Sequence, residues 1–145
     1  MVELRKLKRF EFVDFLKILH KIFPERANPS LFLNLYEIFP DGFVVAVDGK
    51  KIVGFAVGVI SQEEKGRILL IGVDEDYRNK GIGSKLLKRI LLVLSLRGVR
   101  EVELEVRASN VHAIRFYEKM GFRKKDRIRD YYEDGEDAYI MAKYL

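Results

Sequence analysis

Between Glu101 and Val106 the chain reads Glu-Val-Glu-Leu-Glu-Val. This two-residue alternation predicts a half-buried strand with Glu101, Glu103 and Glu105 on one face. Elsewhere the period lengthens. Phe12, Phe15, Leu16, Leu19, Ile22 and Phe23 recur at helical spacing and predict an amphipathic helix over 10–23, ended by Pro24. Asn28-Pro29 reads as an N-cap followed by a proline at the first helical position, opening a second helix through Leu31, Leu35 and Ile38 to Phe39. A third helix has a broad apolar side of Ile82, Leu86, Leu87, Ile90, Leu91 and Leu94, with Gly98 beyond its end. Ser109-Asn110 predicts the cap of a fourth, which runs to Met120 and stops at Gly121.

The remaining apolar runs are short and β-branched. Residues 2–7 predict a first strand. Over 42–60, two runs flank Asp48-Gly49, a strong hairpin signal. Glu63-Glu64-Lys65-Gly66 reads as a turn leading into a strand at Leu69–Val73. Two further strands, about 122–131 and 137–143, flank an acidic turn at 133–136. With no repeats or low-complexity linkers, residues 1–145 read as one mixed α/β domain.

Composition narrows the chemistry. Hydrophobic content of 48% and charged content of 34% suit a globular chain, and no apolar run approaches the ~18 residues of a membrane span. The first ten residues lack the apolar centre of a signal peptide, so a cytoplasmic location is expected. The absence of cysteine excludes disulfides, thiolate catalysis and cysteine-held metal, and no other metal-ligand spacing is present. His20 and His112 have no triad partners. The net charge of +5 is spread along the chain, which favours a basic face toward an anionic ligand, or plain solvated surface, over a nucleic-acid surface. Heavy use of Lys, Glu and Arg, with Gln62 the sole glutamine, also suits a thermophile's surface.

One stretch offers an anionic ligand a place, or is an ordinary glycine-bearing strand-to-helix turn. After the strand at Leu69–Val73, Arg78-Asn79-Lys80-Gly81-Ile82-Gly83 opens the third helix. First-turn amides have no partner within a helix, and the helix dipole adds partial positive charge there. Gly81 and Gly83 let a phosphate approach the backbone, and Arg78 and Lys80 add charge. The order Gly83-Ser84-Lys85 fails the Walker A spacing, and Leu86 stands where a dinucleotide fingerprint needs its third glycine. Arg78-x-x-Gly81-x-Gly83 after Val73-Asp74 resembles the acetyl-CoA loop of the GNAT acetyltransferases. The segment 104–122, with Asn110, Ala113, Tyr117, Gly121 and Phe122, is similar to that family's second characteristic segment.

This resemblance covers about 69–122. It implies a single-domain GNAT fold, with a mixed central sheet of about seven strands flanked by about four helices. It also implies acetyl-CoA as donor, held by Ile71, Gly72, Val73, Arg78, Asn79, Lys80, Gly81, Ile82, Gly83, Ser84 and Asn110. Leu104 to Asn110, with Arg129, Tyr131, Tyr132 and Glu136 to Ala138 downstream, further resembles the ribosomal-protein alanine N-acetyltransferases and related N-terminal acetyltransferases. That likeness implies Glu105 as general base, Tyr117 as general acid, and Tyr131 and Tyr132 at a peptide entrance, with Glu25 on the acceptor side.

Acyl transfer to an amine fits those residue types. A carboxylate takes the amine proton, a phenol gives one to the leaving thiolate, and a backbone amide near Gly72-Val73 polarises the thioester. Gly72 would also let the acyl group approach closely. The likeness also implies a protein or peptide N-terminus as acceptor, a choice that an α-amine of pKa ~7.7–8.0, easier to neutralise than lysine at ~10.4, suits without identifying the substrate. The ribosomal-protein enzymes carry a tryptophan after the proline of the first interhelical region, where this chain has Glu25 and Arg26. A lysine or small-amine acetyltransferase, and a non-catalytic acetyl-CoA-binding module, remain the alternatives.

Overall fold

A computed structural model describes residues 1–145. The strands are β1 (Val2–Lys6), β2 (Phe43–Asp48), β3 (Lys51–Gln62), β4 (Lys65–Val73), β5 (Glu101–Arg107), β6 (Arg123–Ile128) and β7 (Ala138–Tyr144). The helices are α1 (Phe12–Ile22), α2 (Pro29–Ile38), α3 (Ile82–Leu96) and α4 (Val111–Lys119). One seven-stranded sheet has the order β1-β2-β3-β4-β5-β7-β6. Every neighbouring pair is antiparallel except β4 and β5. The expected mixed sheet with four helices is what the chain forms.

The sheet divides two apolar cores. Alternation sends Val44 and Ala46 of β2 and Ala56 of β3 to one side, and a bulge at Val53, where Ala46 pairs with Gly54 but Val47 with Ile52, turns that side chain the same way; all four meet the α3 cluster of Leu86, Leu87, Ile90 and Leu94. Val102, Leu104 and Val106 of β5 join the same cluster with Ile114 of α4 and Phe122. Phe43, Val45, Phe55 and Val57 face the other way onto Phe15, Ile18 and Leu19 of α1 and Phe32 of α2. Local chemistry sets the helix ends. Asn28 Oδ1 accepts from Leu31 N, and Asn110 Oδ1 from Ala113 N, each at 3.1 Å. Gly98 and Gly121, at φ +87° and +96°, take the left-handed turns that follow α3 and α4.

Three boundaries differ from expectation. The first helix begins as a 3-10 turn at Arg9–Glu11, with α1 proper starting at Phe12. The turn read at 63–66 occupies only Glu63-Glu64, with Glu64 at φ +61°, while Lys65 and Gly66 already belong to β4. Gly66 is glycine for packing, since a Cβ there would lie 3.1 Å from Val99 and 3.2 Å from Leu94. The segment read as a strand over 122–131 ends at Ile128. Asp130, at φ +56°, turns the chain, and its amide donates to Asp137 Oδ1 at 2.9 Å.

The feature that makes room for a site is the β4–β5 junction. Their parallel ladder pairs Lys65–Arg67 with Glu101–Glu103 and goes no further. Beyond it β4 continues to Val73 and β5 to Arg107 with a wedge between them. Backbone groups on the open side of β4 lose their strand partner, and one of them, the Leu69 carbonyl, accepts from Arg26 Nη2 at 3.0 Å. Strand alternation aims the amides of Ile71 and Val73 toward the same opening.

Candidate active site

Two cavities meet in the wedge. The first, of about 550 Å³, lies between the end of β4 and the starts of α3 and α4. Ile71, Gly72, Val73, Arg78, Asn79, Gly81, Ile82, Gly83, Ser84 and Asn110 all line it; Lys80 does not, and its ammonium lies 5.4 Å from the Tyr77 ring centre. The loop reaches this shape through two left-handed residues, Asn79 at φ +62° and Gly81 at +77°. Gly81 caps α3, whose first intrahelical bond runs from Lys85 N to the Gly81 carbonyl at 3.2 Å. The amides before Lys85 are therefore free to meet an anion. Arg78 folds back, with Nε donating to the Val73 carbonyl at 3.0 Å.

The glycines divide by role. A Cβ on Gly83 would meet nothing nearer than Phe116 Cζ at 3.8 Å, so packing does not demand glycine there. What its bareness leaves open is the amide floor, which suits the pyrophosphate of coenzyme A. Gly72 is different. A Cβ there would lie 2.7 Å from Phe55 Cζ and 3.0 Å from Phe23 Cε2. Rings of the protein itself fill that space, so the expected close approach of an acyl group is not the reason for glycine.

The second cavity, of about 530 Å³, occupies the wedge between β4 and β5. Its walls include Leu69, Leu104, Val106, Glu25, Arg26, Glu105, Arg107 and Tyr132. Phe23, Ile71, Asn110, Ala113 and Tyr117 line both cavities. Tyr117 thus stands at the junction. Burial pushes its phenol up to about 12, so it keeps its proton throughout the neutral range.

Glu105 is the most exposed of the three β5 glutamates, with a side chain 27% exposed, yet one of its oxygens is withdrawn from water. Its Oε2 is shielded from solvent and accepts no hydrogen bond, and Arg67 Nη2 lies 3.4 Å away. A shielded carboxylate oxygen without a hydrogen-bond donor is costly for a fold to keep. Glu101 and Glu103 face the same way but are answered by Lys125, at 3.2 and 2.6 Å. Of the two tyrosines, Tyr132 lines the cavity, whereas Tyr131 is 43% exposed and packs edge-on against it at 5.1 Å. The adjacent Glu105 carboxylate is the chief cause holding the Tyr131 phenol above its ordinary value. Arg107 fixes this wall: it pairs with Asp134 and Glu136 at 2.9 Å each and lies 4.0 Å from the Tyr132 ring centre.

Sequence reasoning missed several lining residues. His112 and Phe116 line the first cavity from α4, and Phe23 lines both from the end of α1. Their only signal was proximity to Asn110 or to Pro24.

The comparisons with known proteins agree with this geometry. The profile of the Acetyltransferase (GNAT) family matches residues 12–122. An N-alpha-acetyltransferase of Saccharolobus solfataricus is 33% identical over 154 residues, 98% of this chain and 92% of that protein. The crystal structure of Ard1 from Thermoplasma volcanium superposes with a TM-score of 0.88 at 32% identity, covering 99% and 97% of the two chains. Arabidopsis thaliana Naa50, solved in complex with the bisubstrate analogue CoA-Ac-MVNAL, gives 0.85 at 30% identity and covers 99% of each. The chain belongs to the GNAT acetyltransferase family and is an N-acetyltransferase that draws its acetyl group from acetyl-CoA.

Proposed function

We propose that this protein acetylates the α-amine of a protein or peptide N-terminus by direct transfer, with Glu105 as general base and Tyr117 as general acid. The observation that carries this reading is the meeting of the two cavities at Tyr117, with Glu105 on the wall of the second. The amides ahead of Lys85, with Gly81 and Gly83, receive the pyrophosphate, and Asn110 lies along the path to the junction. Bound acetyl-CoA supplies the thioester; the amides of Ile71 and Val73 face the side from which its carbonyl would be polarised. Glu105 takes the proton of the attacking amine directly or through water. As the C–N bond forms and the C–S bond breaks, Tyr117 gives its proton to the sulfur.

An N-terminal acceptor suits a wedge walled by Glu25, Tyr132 and apolar side chains, open enough for the end of an extended chain. It also suits the relatives, whose names include N-alpha-acetyltransferase and [ribosomal protein bS18]-alanine N-acetyltransferase. The test is a competition. Acetyl-CoA is offered with free-N-terminus peptides, N-blocked lysine peptides and polyamines, and the acetylated atom is located by mass spectrometry. Label on α-amines is expected. Label confined to lysine or polyamine would overturn the acceptor, and binding of acetyl-CoA without turnover on any amine would overturn the catalytic roles.

A further inference from the structure

The glutamates of β5 are neutralised unevenly. Glu101 and Glu103 are answered by flexible lysines, Lys125 from β6 and Lys65 from β4. Glu105 is answered by a guanidinium that stands at ion-pair distance without closing a hydrogen bond, Arg67 Nη2 at 3.4 Å from Oε2. Arg67 pairs in register with Glu103 and lies outside the cavity lining, just before Ile68. The second cavity therefore has a guanidinium beside its half-buried carboxylate.

We propose that Arg67 is a specificity-determining residue, which makes the acceptor cavity reject amines that arrive as cations and so favours a peptide α-amine over a lysine side chain. The proposal rests on the reading of Glu105 and its cavity as the acceptor site.

A half-buried carboxylate on its own would attract any ammonium. With Arg67 beside it, much of that attraction is already met. An ammonium set against the same carboxylate would also sit within a few ångström of a like charge, at a pair only partly open to water and so less screened than a free surface pair. An uncharged amine meets no such repulsion and can still hand its proton to the carboxylate. At pH 7 an α-amine, with pKa ~7.7–8.0, is uncharged in about a tenth of molecules, while lysine, at ~10.4, is uncharged in fewer than about one in a thousand. A cavity that admits only the neutral form turns that difference into selectivity of more than a hundredfold.

The other charged groups around Glu105 do not cancel the effect. Arg26, after α1, gives Nη2 to the Leu69 carbonyl, and Arg107 on β5 is spent on Asp134 and Glu136. Both remain cations in the wall. Glu25 is the other carboxylate of the lining and is exposed. Tyr131 and Tyr132 are phenols held above their usual range, Tyr131 chiefly by Glu105 and Tyr132 chiefly by burial, so they stay neutral.

The experiment compares kcat/KM for a matched pair of peptides, one with a free N-terminus and one N-blocked with a single lysine, over pH 6.5–9. Wild type, Arg67→Met and Arg67→Lys are measured, with Arg67→Gln as a second neutral variant should the methionine protein fold poorly. Loss of the cation is expected to narrow the preference for the free N-terminus by about tenfold, mainly through a lower KM for the lysine peptide, while Arg67→Lys keeps it. A preference unchanged in both neutral variants, or lost equally in Arg67→Lys, would overturn the role of Arg67 and leave the acceptor assignment standing. A wild-type enzyme that acetylates only the lysine peptide would overturn the acceptor assignment itself.

Discussion

Replacing Gly72 with alanine separates two reasons for having glycine at the end of β4. If the residue is bare to admit an acyl group, the variant keeps its stability and loses turnover. If it is bare because aromatic rings already fill the space, the fold weakens first. The geometry favours the second. A new Cβ would approach Phe55 Cζ to 2.7 Å, about 1 Å inside the ~3.5–4.0 Å of ordinary carbon contact. Phe55 sits directly across the ladder from Gly72 and is fully buried, edge-on to Phe15 at 5.6 Å and Phe23 at 6.2 Å. It has no empty space to move into. Overpacking of this kind costs about 1–3 kcal/mol, and the lower chain entropy of unfolded alanine offsets ~0.4–1 of it. A net loss of ~1–2 kcal/mol at an m-value of ~2 kcal/mol/M lowers the urea midpoint by ~0.5–1 M. Since the chain has no tryptophan, far-UV circular dichroism is the readout. An unchanged midpoint together with lost turnover would refute the packing argument and return this glycine to the acyl group.

Three further outcomes are expected. Gly83→Val should weaken acetyl-CoA binding in calorimetry, because its side chain would project over the amide floor, where the nearest protein atom to a Cβ is 3.8 Å away; an unaltered dissociation constant would remove the loop from cofactor binding. Tyr117→Phe should lower kcat by about a hundredfold with acetyl-CoA affinity kept, as general acids contribute ~10²–10⁴. Because burial holds the wild-type phenol near about 12, its ionisation should add no alkaline limb to the rate profile below about pH 10, and such a limb would contradict the assignment. Lys21→Met should lower stability at pH 7. Lys21 Nζ lies 2.8 Å from Asp74, which is 2% exposed, and this hydrogen bond is the chief cause holding that carboxyl below its usual range. A depressed folded-state pKa stabilises above the unfolded value of ~3.9 and loses that contribution as pH falls through the folded value, so urea midpoints of wild type and variant should converge below about pH 4. A gap that stays constant with pH would refute the pairing.

The sequence shows where local chemistry decides and is silent where neighbours do. The caps at Asn28 and Asn110, the left-handed glycines and the strand at 101–106 stand where spacing places them, because each follows from a few adjacent residues. Lys65 and Gly66 look like turn residues and are strand residues, since Val99 and Leu94 close over the glycine from far along the chain. Glu101 looks solvated and is 7% exposed, because Lys65 and Lys125 arrive from the flanking strands to neutralise it. Every residue of β6 is exposed, so that strand has no alternation to read. The loop motif placed the β4–α3 wall of the first cavity but not the wall from the end of α1 and α4. The second was less legible, because a gap between two strands depends on where their ladder stops, and no residue type marks that point. Arg67 carries no motif at all.

The three-pair ladder between β4 and β5 also has a mechanical meaning. It is the shortest seam in the sheet, joining a half built on β1–β4 to one built on β5–β7. Flexing concentrates where cross-links are fewest, so relative motion of the halves should open or pinch the wedge before it disturbs either core. A ligand lying across the junction touches both halves and acts as a brace, and its departure returns the compliance. The line by which substrates gain access is also the line along which the molecule is least stiff.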